Sequence, residues 1–229
     1  MKQHYNLIKP HTNHFVQQRC RNRVTFWSFV FLSLFLIVSW VGLSTNAWAK
    51  SNDVKTAENR VVTISNRILH LLEHKKAVLK KDSAALSSLV QKEIIPFIDF
   101  DAMAKLTLGK HWRSATPQQR IRFTNAYKNM LIRTYAKRML DYAGARMQAK
   151  YSVQNKRPGY VTVHTLVIPK NGAPIAATYE VRNKSGQWKA YNIEIGGINM
   201  ITNFRTNFTR EVSAKGLDSL ITRLERSGK

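Results

Sequence analysis

The sequence predicts an α+β fold: helices first, then an antiparallel sheet, then helices again. Three observations carry this. Apolar residues recur at helical spacing up to about Gly144, alternate with polar ones from Arg146 to Ile195, and return to helical spacing beyond Gly196-Gly197. Helices and strands are thus segregated along the chain, unlike the βα alternation that builds a parallel sheet.

Residues 54–80 place Val61, Ile64, Ile68, Leu71, Leu72 and Leu79 on one helical stripe. Residues 83–95 do the same with Leu86, Leu89, Val90 and Ile94. They stop before Pro96, because the residue ahead of proline disfavours the helical region. A short helix over 99–108 opens on the acidic cap Asp99 and closes on Gly109. The next opens on Thr116-Pro117-Gln118-Gln119. Threonine caps, proline suits the first helical position, and glutamine three residues after the cap reaches back to its amide. This helix turns Phe123, Tyr127, Met130, Leu131 and Tyr135 inward and ends near Gly144.

Then the period falls to two. Met147, Ala149, Tyr151 and Val153 alternate with Arg146, Gln148, Lys150 and Ser152. Turns at Arg157-Pro158-Gly159, Lys170-Asn171-Gly172 and Asn183-Lys184-Ser185-Gly186 set off further strands at 160–168, 175–182 and 188–195. Four strands on short turns predict an antiparallel meander. Two closing helices, split near Gly216, start with Ile198, Ile201, Phe204, Arg205 and Phe208 at helical spacing.

Residues 1–49 read as an export signal, and 50–229 as a single domain. Lys2, Lys9, Arg19, Arg21 and Arg23 precede the apolar run at 24–43, and Ala47-Trp48-Ala49 gives the small-x-small pattern that predicts cleavage after Ala49. An uncleaved anchor is the alternative, since an apolar run of 20 residues is long enough to span a bilayer. Either way the rest of the chain is expected outside the cytoplasm, in a periplasm-type compartment. Cys20 is the only cysteine and precedes the apolar run, so the segment from Lys50 has no thiol for disulfides, nucleophilic catalysis or lipidation. Five of the 37 Lys and Arg, and none of the 13 acids, precede Lys50, so the exported part carries 32 against 13, a net +19. That bias favours anionic partners.

The sequence carries few groupings that could support chemistry. His70-Leu71-Leu72-Glu73-His74 matches H-x-x-E-H, but His70, Glu73 and His74 lie opposite the apolar stripe, and no third ligand is in view. A solvated helix face explains them. Leu108-Gly109-Lys110 lacks the first glycine and the hydroxyl residue of a phosphate loop. Ser152, Ser185, Ser213 and Ser219 have no His-plus-acid context, and Glu180 and Glu194 fall on the polar strand face. Basic residues are spread over every element, with no nucleic-acid-binding motif. No enzyme, metal site or nucleic-acid partner is predicted.

Apolar faces remain. The inward sheet face reads Met147, Ala149, Tyr151, Val153, Val161, Val163, Ala177, Tyr179, Tyr191, Ile193 and Ile195, opposed by Phe123, Tyr127, Met130 and Leu131, with Met103 and Leu106 on the preceding helix. A packed core and a lined cavity use these same residue types. Pattern leaves both open.

Asp99-Phe100-Asp101-Ala102-Met103-Ala104, followed by the block from Leu108 to Arg120 (LGKHWRSATPQQR), resembles the central signature of the MlaC family. The likeness continues through Phe123, Leu131, Arg133, Thr134, Tyr135 and Ala136. It returns at 188–198 (WKAYNIEIGGI) and at Asn203-Phe204-Arg205, ending on Phe208. It therefore covers essentially the whole exported segment. This chain has Asn192 where the family usually has Asp, and Asn199 where it usually has Ser; Asn199 retains the ability to cap a helix.

The resemblance implies a helix-and-sheet cone around a deep apolar pocket that holds the acyl chains of a phospholipid as cargo, its headgroup near solvent. It implies no reaction and no other cofactor. It also implies a monomeric shuttle between an outer-membrane lipoprotein–porin complex and an inner-membrane ABC transporter with a hexameric substrate-binding ring. On that reading the residues of both apolar faces other than Ile195, with Met103 and Leu106, touch lipid. The competing reading is an exported basic adaptor with a solid core, binding anionic partners and no lipid.

Overall fold

The capping signal at Thr116 is realised in full. In a computed structural model of the chain, which describes residues 45–155 and 157–226, Thr116 Oγ1 accepts from the Gln119 amide (3.2 Å) and Gln119 Oε1 accepts from the Thr116 amide (3.0 Å). The basic stretch and apolar run at 1–43 lie outside the described residues. Among the described residues no helix is long and apolar enough to cross a membrane.

The chain divides into units Met1–Ala49 and Lys50–Lys229; the architecture below is that of the second. Helix α1 (Thr45–His74) is followed by α2 (Lys76–Lys81) and α3 (Ser83–Leu89). The single stripe expected over 54–80 is thus broken at Lys75, and the helix expected to run to Ile95 is α-helical only to Leu89. Val90–Ile94 widens into a π turn and Ile95–Phe97 tightens into a 3-10 turn. Pro96 has no amide hydrogen to continue the ladder. Helix α4 (Phe100–Leu108) is capped by Asp99, which accepts from the Ala102 amide (3.2 Å). A short α5 (His111–Ser114) leads into α6 (Pro117–Met139), which closes in a 3-10 turn at Leu140–Tyr142.

The sheet has the order β1-β2-β3-β4-β5: β1 (Arg146–Gln154), β2 (Tyr160–Ile168), β3 (Ile175–Lys184), β4 (Gln187–Ile195) and a two-residue β5 (Ile198–Asn199). Four strands were expected. The fifth lies in what reads as the start of a helix, because Gly196 and Gly197, both at positive φ (57° and 80°), fold Ile198 back onto Ile195. Only then does α7 (Thr202–Lys215) begin, with Asn199 Oδ1 accepting from the Ile201 and Thr202 amides (3.0 and 3.1 Å). Gly216 separates it from α8 (Leu217–Arg226).

Two bulges alter the expected faces. Lys150 is an extra residue in β1, so Tyr151 pairs with His164 and Val153 with Thr162 on the outer face, while Ser152 turns inward opposite Val163. One added residue reverses the alternation beyond it. Tyr191 is the extra residue in β4: Ala190 pairs with Val181 and Asn192 with Glu180. The inner face of β4 is consequently Trp188, Ala190, Ile193 and Ile195. Tyr191 lies on the outer face, edge-on to Tyr160 (centroids 5.7 Å).

Candidate functional site

Buried apolar side chains form two clusters. The larger joins the inner sheet face to α1, α4, α6, α7 and α8; the smaller joins α1, α2 and α3 to Ala136 and Leu140. Between them lies a cavity of about 310 Å³, lined by members of both. Helix α1 contributes Ser65, Ile68, Leu69 and Leu72. The π and 3-10 turns contribute Val90, Ile94, Ile95, Phe97 and Ile98, and α4 contributes Phe100 and Met103. The C-terminal half of α6 supplies Leu131, Ile132, Tyr135, Ala136, Arg138 and Met139, with Tyr142 just beyond. Met147, Val167, Tyr179, Ile193, Ile195, Ile198 and Met200 complete the wall from the sheet and its exit. The lining grades from fully buried Leu72 to Ile198, 48% exposed, and Arg138, also exposed, so the cavity reaches the surface at these residues.

Few polar atoms interrupt this wall. Burial raises the Tyr179 hydroxyl pKa, with neighbouring Ser65 acting the other way. Neither therefore adds charge to the interior. Among the described residues, Arg138 is the only lining residue with a formal charge. On the scale where one water needs about 10–15 Å³, the cavity has room for roughly 20–30 groups of that size. A methylene is such a group.

Polar clamps fix the walls to one another. The Asn66 side chain donates to the Met147 carbonyl (3.0 Å) and accepts from its amide (2.8 Å), fastening α1 to the edge strand β1. Asp99 lies between lining residues Ile98 and Phe100, 3% exposed, and its amide donates to the Ala190 carbonyl (2.8 Å). Its carboxylate accepts from Arg182 Nε (2.7 Å) and lies 3.6 Å from Lys184 Nζ. Burial pushes the Asp99 pKa up, but Arg182, the Ala102 amide and Lys184 outweigh it and hold it below 3.8. Glu73 pairs with Lys170 across to the β2–β3 turn, which takes it out of the H-x-x-E-H pattern. Among the described residues no group of three or more His, Cys, Asp or Glu side chains converges on a metal-sized site.

Of the predicted pocket residues, Met103, Leu131, Met147, Tyr179 and Ile193 line the cavity. Phe123 and Tyr127 are fully buried in solid packing instead, stacked at 5.6 Å and met edge-on by Phe208 at 6.0 and 5.9 Å. Val161, Val163 and Ala177 are buried on the inner face outside the cavity lining, and Met130 packs half-buried against the same core. Leu106 points away, 38% exposed. Ala149 faces inward opposite Thr165 but is uncovered at the sheet edge, and the bulges put Tyr151, Val153 and Tyr191 on the outer face. The largest omission is the wall at 90–98. Its signal is the apolar run Ile94-Ile95-Pro96-Phe97-Ile98, in which proline forces an irregular and therefore lining conformation.

The resemblance motifs now have structural roles. Gly109 sits at φ 57°, and an added Cβ would lie 3.0 Å from the Arg205 guanidinium, so α4 and α7 need glycine there. Arg120 donates to the Trp112 and Arg113 carbonyls (3.1 and 3.3 Å) and fixes the α5 turn. Asn192 donates to Glu180 (3.3 Å), an interaction that Asp at this position would replace with two facing carboxylates. The MlaC protein family model matches residues 63–226. The chain belongs to the MlaC family. Among MlaC relatives, the intermembrane phospholipid transport system binding protein MlaC of Haemophilus influenzae is 23% identical over 166 residues, 71% of this chain and 78% of that protein. The toluene tolerance protein ttg2D of Pseudomonas putida is 28% identical over 167 residues, 72% and 76% of the two chains. A phospholipid-binding protein from Ralstonia solanacearum, solved in complex with a phospholipid, superposes with a TM-score of 0.68 at 25% identity. That match covers 75% of this chain and 96% of that one.

Proposed function

We propose that this MlaC-family chain is a periplasmic phospholipid carrier, exported by an N-terminal signal cut after Ala49. It shuttles lipid between an outer-membrane lipoprotein–porin complex and an inner-membrane transporter. The observation that carries this is the apolar cavity between the two clusters, in a fold shared with a protein solved around a phospholipid. Acyl chains enter between α1, α6 and the sheet, and the headgroup stays at the open end near Ile198. The cavity lining gives the wall, with Met103, Leu131, Met147, Tyr179 and Ile193 as lipid contacts.

The energetics fit a carrier with no chemistry of its own. Two acyl chains with about 30 methylenes gain roughly 24 kcal/mol on leaving water, at about 0.8 kcal/mol each. A bilayer offers a similar gain, so exchange between protein and membrane is nearly balanced, while escape through water is very slow. Handover then requires docking, and net direction comes from the partner's ATPase. We assign no catalytic residue.

Native mass spectrometry of the exported protein, with lipid extraction of the same sample, tests this. A bound mass matching diacyl phospholipid is expected. Ala136→Phe, which projects a ring into the cavity from α6, should abolish that mass with the fold retained. A clean apo mass that persists after incubation with phospholipid vesicles would replace the carrier with a basic adaptor for anionic partners.

A further inference from the structure

Arg138 carries the charge at the cavity edge, and its neighbours make that charge usable. Tyr135 and Tyr142, three residues before and four after it on the same helical stripe, also line the cavity, and both are half-buried. Arg138 itself is exposed. It forms no ion pair with a carboxylate among the described residues, Asp141 three residues on included. Among the described residues the lining contains no acid. An apolar cavity thus has an exposed arginine between two half-buried tyrosines in its wall.

We propose that Arg138, flanked by Tyr135 and Tyr142, holds the lipid phosphate at the cavity mouth and biases the chain toward phospholipids of net negative headgroup. A guanidinium offers a planar fork of donors that matches phosphate oxygens in a bidentate contact. The tyrosine hydroxyls can donate to further phosphate or glycerol oxygens. A zwitterionic headgroup brings an ammonium back toward Arg138, with no acid in the lining to receive it. A glycerol headgroup brings none. The selectivity therefore comes from an unopposed positive charge, and it rests on the carrier reading above.

The test loads the full exported protein from vesicles of equimolar phosphatidylglycerol and phosphatidylethanolamine. Lipid bound to the repurified protein is then extracted and quantified by mass spectrometry. Wild type should be enriched in phosphatidylglycerol by about two- to fivefold, the scale of one exposed ion pair. Arg138→Gln should bring the ratio close to that of the vesicles without lowering total bound lipid. Arg138→Lys keeps the charge but not the fork, and should retain part of the enrichment. Arg210→Gln removes the same charge from an exposed α7 residue outside the lining, and should leave the ratio unchanged. Lipid-loaded wild type with no preference, or an Arg138→Gln ratio equal to wild type, overturns the inference and spares the carrier reading. Wild type that takes up neither lipid overturns both.

Discussion

Helix α6 presents one apolar stripe to two different surroundings. Its N-terminal half meets Phe204 and Phe208 of α7, and Phe123 and Tyr127 fill the space with ring-on-ring contacts of 5.6–6.0 Å. Its C-terminal half, from Leu131 to Met139, faces the cavity. The residue types differ little between the halves. What differs is the partner: aromatic side chains close one end, whereas at the other Asn66 fastens α1 to β1 and Asp99 fastens the turn before α4 to β3 and β4. One end of the molecule is held by packing, the hollow end by polar clamps. That division makes the cavity a feature of the whole fold rather than of any one element.

The largest effect that would break this comparison is expected at the solid end. Phe123→Ala should cost about 3–5 kcal/mol, the range for deleting a fully packed aromatic side chain. Urea unfolding of the variant would read it. A loss near 1 kcal/mol would mean that the N-terminal half of α6 is also loosely filled.

Next comes the clamp at Asp99. Removing one partner of a fully buried pair costs about 3–5 kcal/mol. Arg182 keeps 27% of its side chain exposed and can recover some hydration, so Asp99→Asn should cost about 2–3 kcal/mol on that scale. The pH dependence has a definite sign. The folded-state pKa of Asp99 is depressed below 3.8, so its contribution is complete above that value and is lost as pH falls through the lower, folded-state pKa. The acid limb of a stability-versus-pH curve should therefore be shallower in Asp99→Asn than in wild type. Parallel limbs would assign acid sensitivity to other carboxylates.

The sequence discloses the helix caps more readily than the clamps or the cavity. The Thr116–Gln119 box and the Asp99 cap follow from residue chemistry at fixed spacing, and both form as expected. The four long strands follow from alternation and turn residues. The bulges do not. Met147, Ala149, Tyr151 and Val153 alternate without a break across Lys150, and only the pairing with β2 shows that the last two have changed face. The aromatic content of the α6 stripe likewise suggests wall and core equally, because hollowness depends on what fails to reach across. Tyr135, Ala136 and Met139 line the cavity because of where α1 and the turns at 90–98 stand, several helices away in sequence.

Asn66 tests the clamp idea at a smaller scale. As an edge strand, β1 has amide and carbonyl groups on its outer side without strand partners, and Asn66 supplies both bonds at Met147. Asn66→Ala leaves these part-buried groups to water, at a cost of about 1–2 kcal/mol. Hydrogen exchange at the Met147 amide should rise more than at residues of β2 and β3, which keep both neighbours. Uniform change across the sheet would argue that α1 is fastened elsewhere.

The smallest effect is expected where intuition about apolar residues would place a large one. Ile132 lies on the same helix as Phe123, is partly buried, and packs against the smaller cluster with one side toward the cavity. Truncating a fully packed isoleucine to alanine costs about 2–5 kcal/mol, much of it contacts forfeited to a new void. Ile132 already borders a void, so it has fewer contacts to lose, and Ile132→Ala should cost about 1 kcal/mol or less in lipid-free protein. Lipid-loaded protein should show a larger difference, because acyl chains then occupy the vacant side and the truncated methyl groups have neighbours to miss. Thermal unfolding of wild type and variant, each with and without bound phospholipid, separates the two states. A cost that is the same in both would mean that Ile132 does not touch the acyl chains, and would restrict the lipid to the sheet side of the cavity.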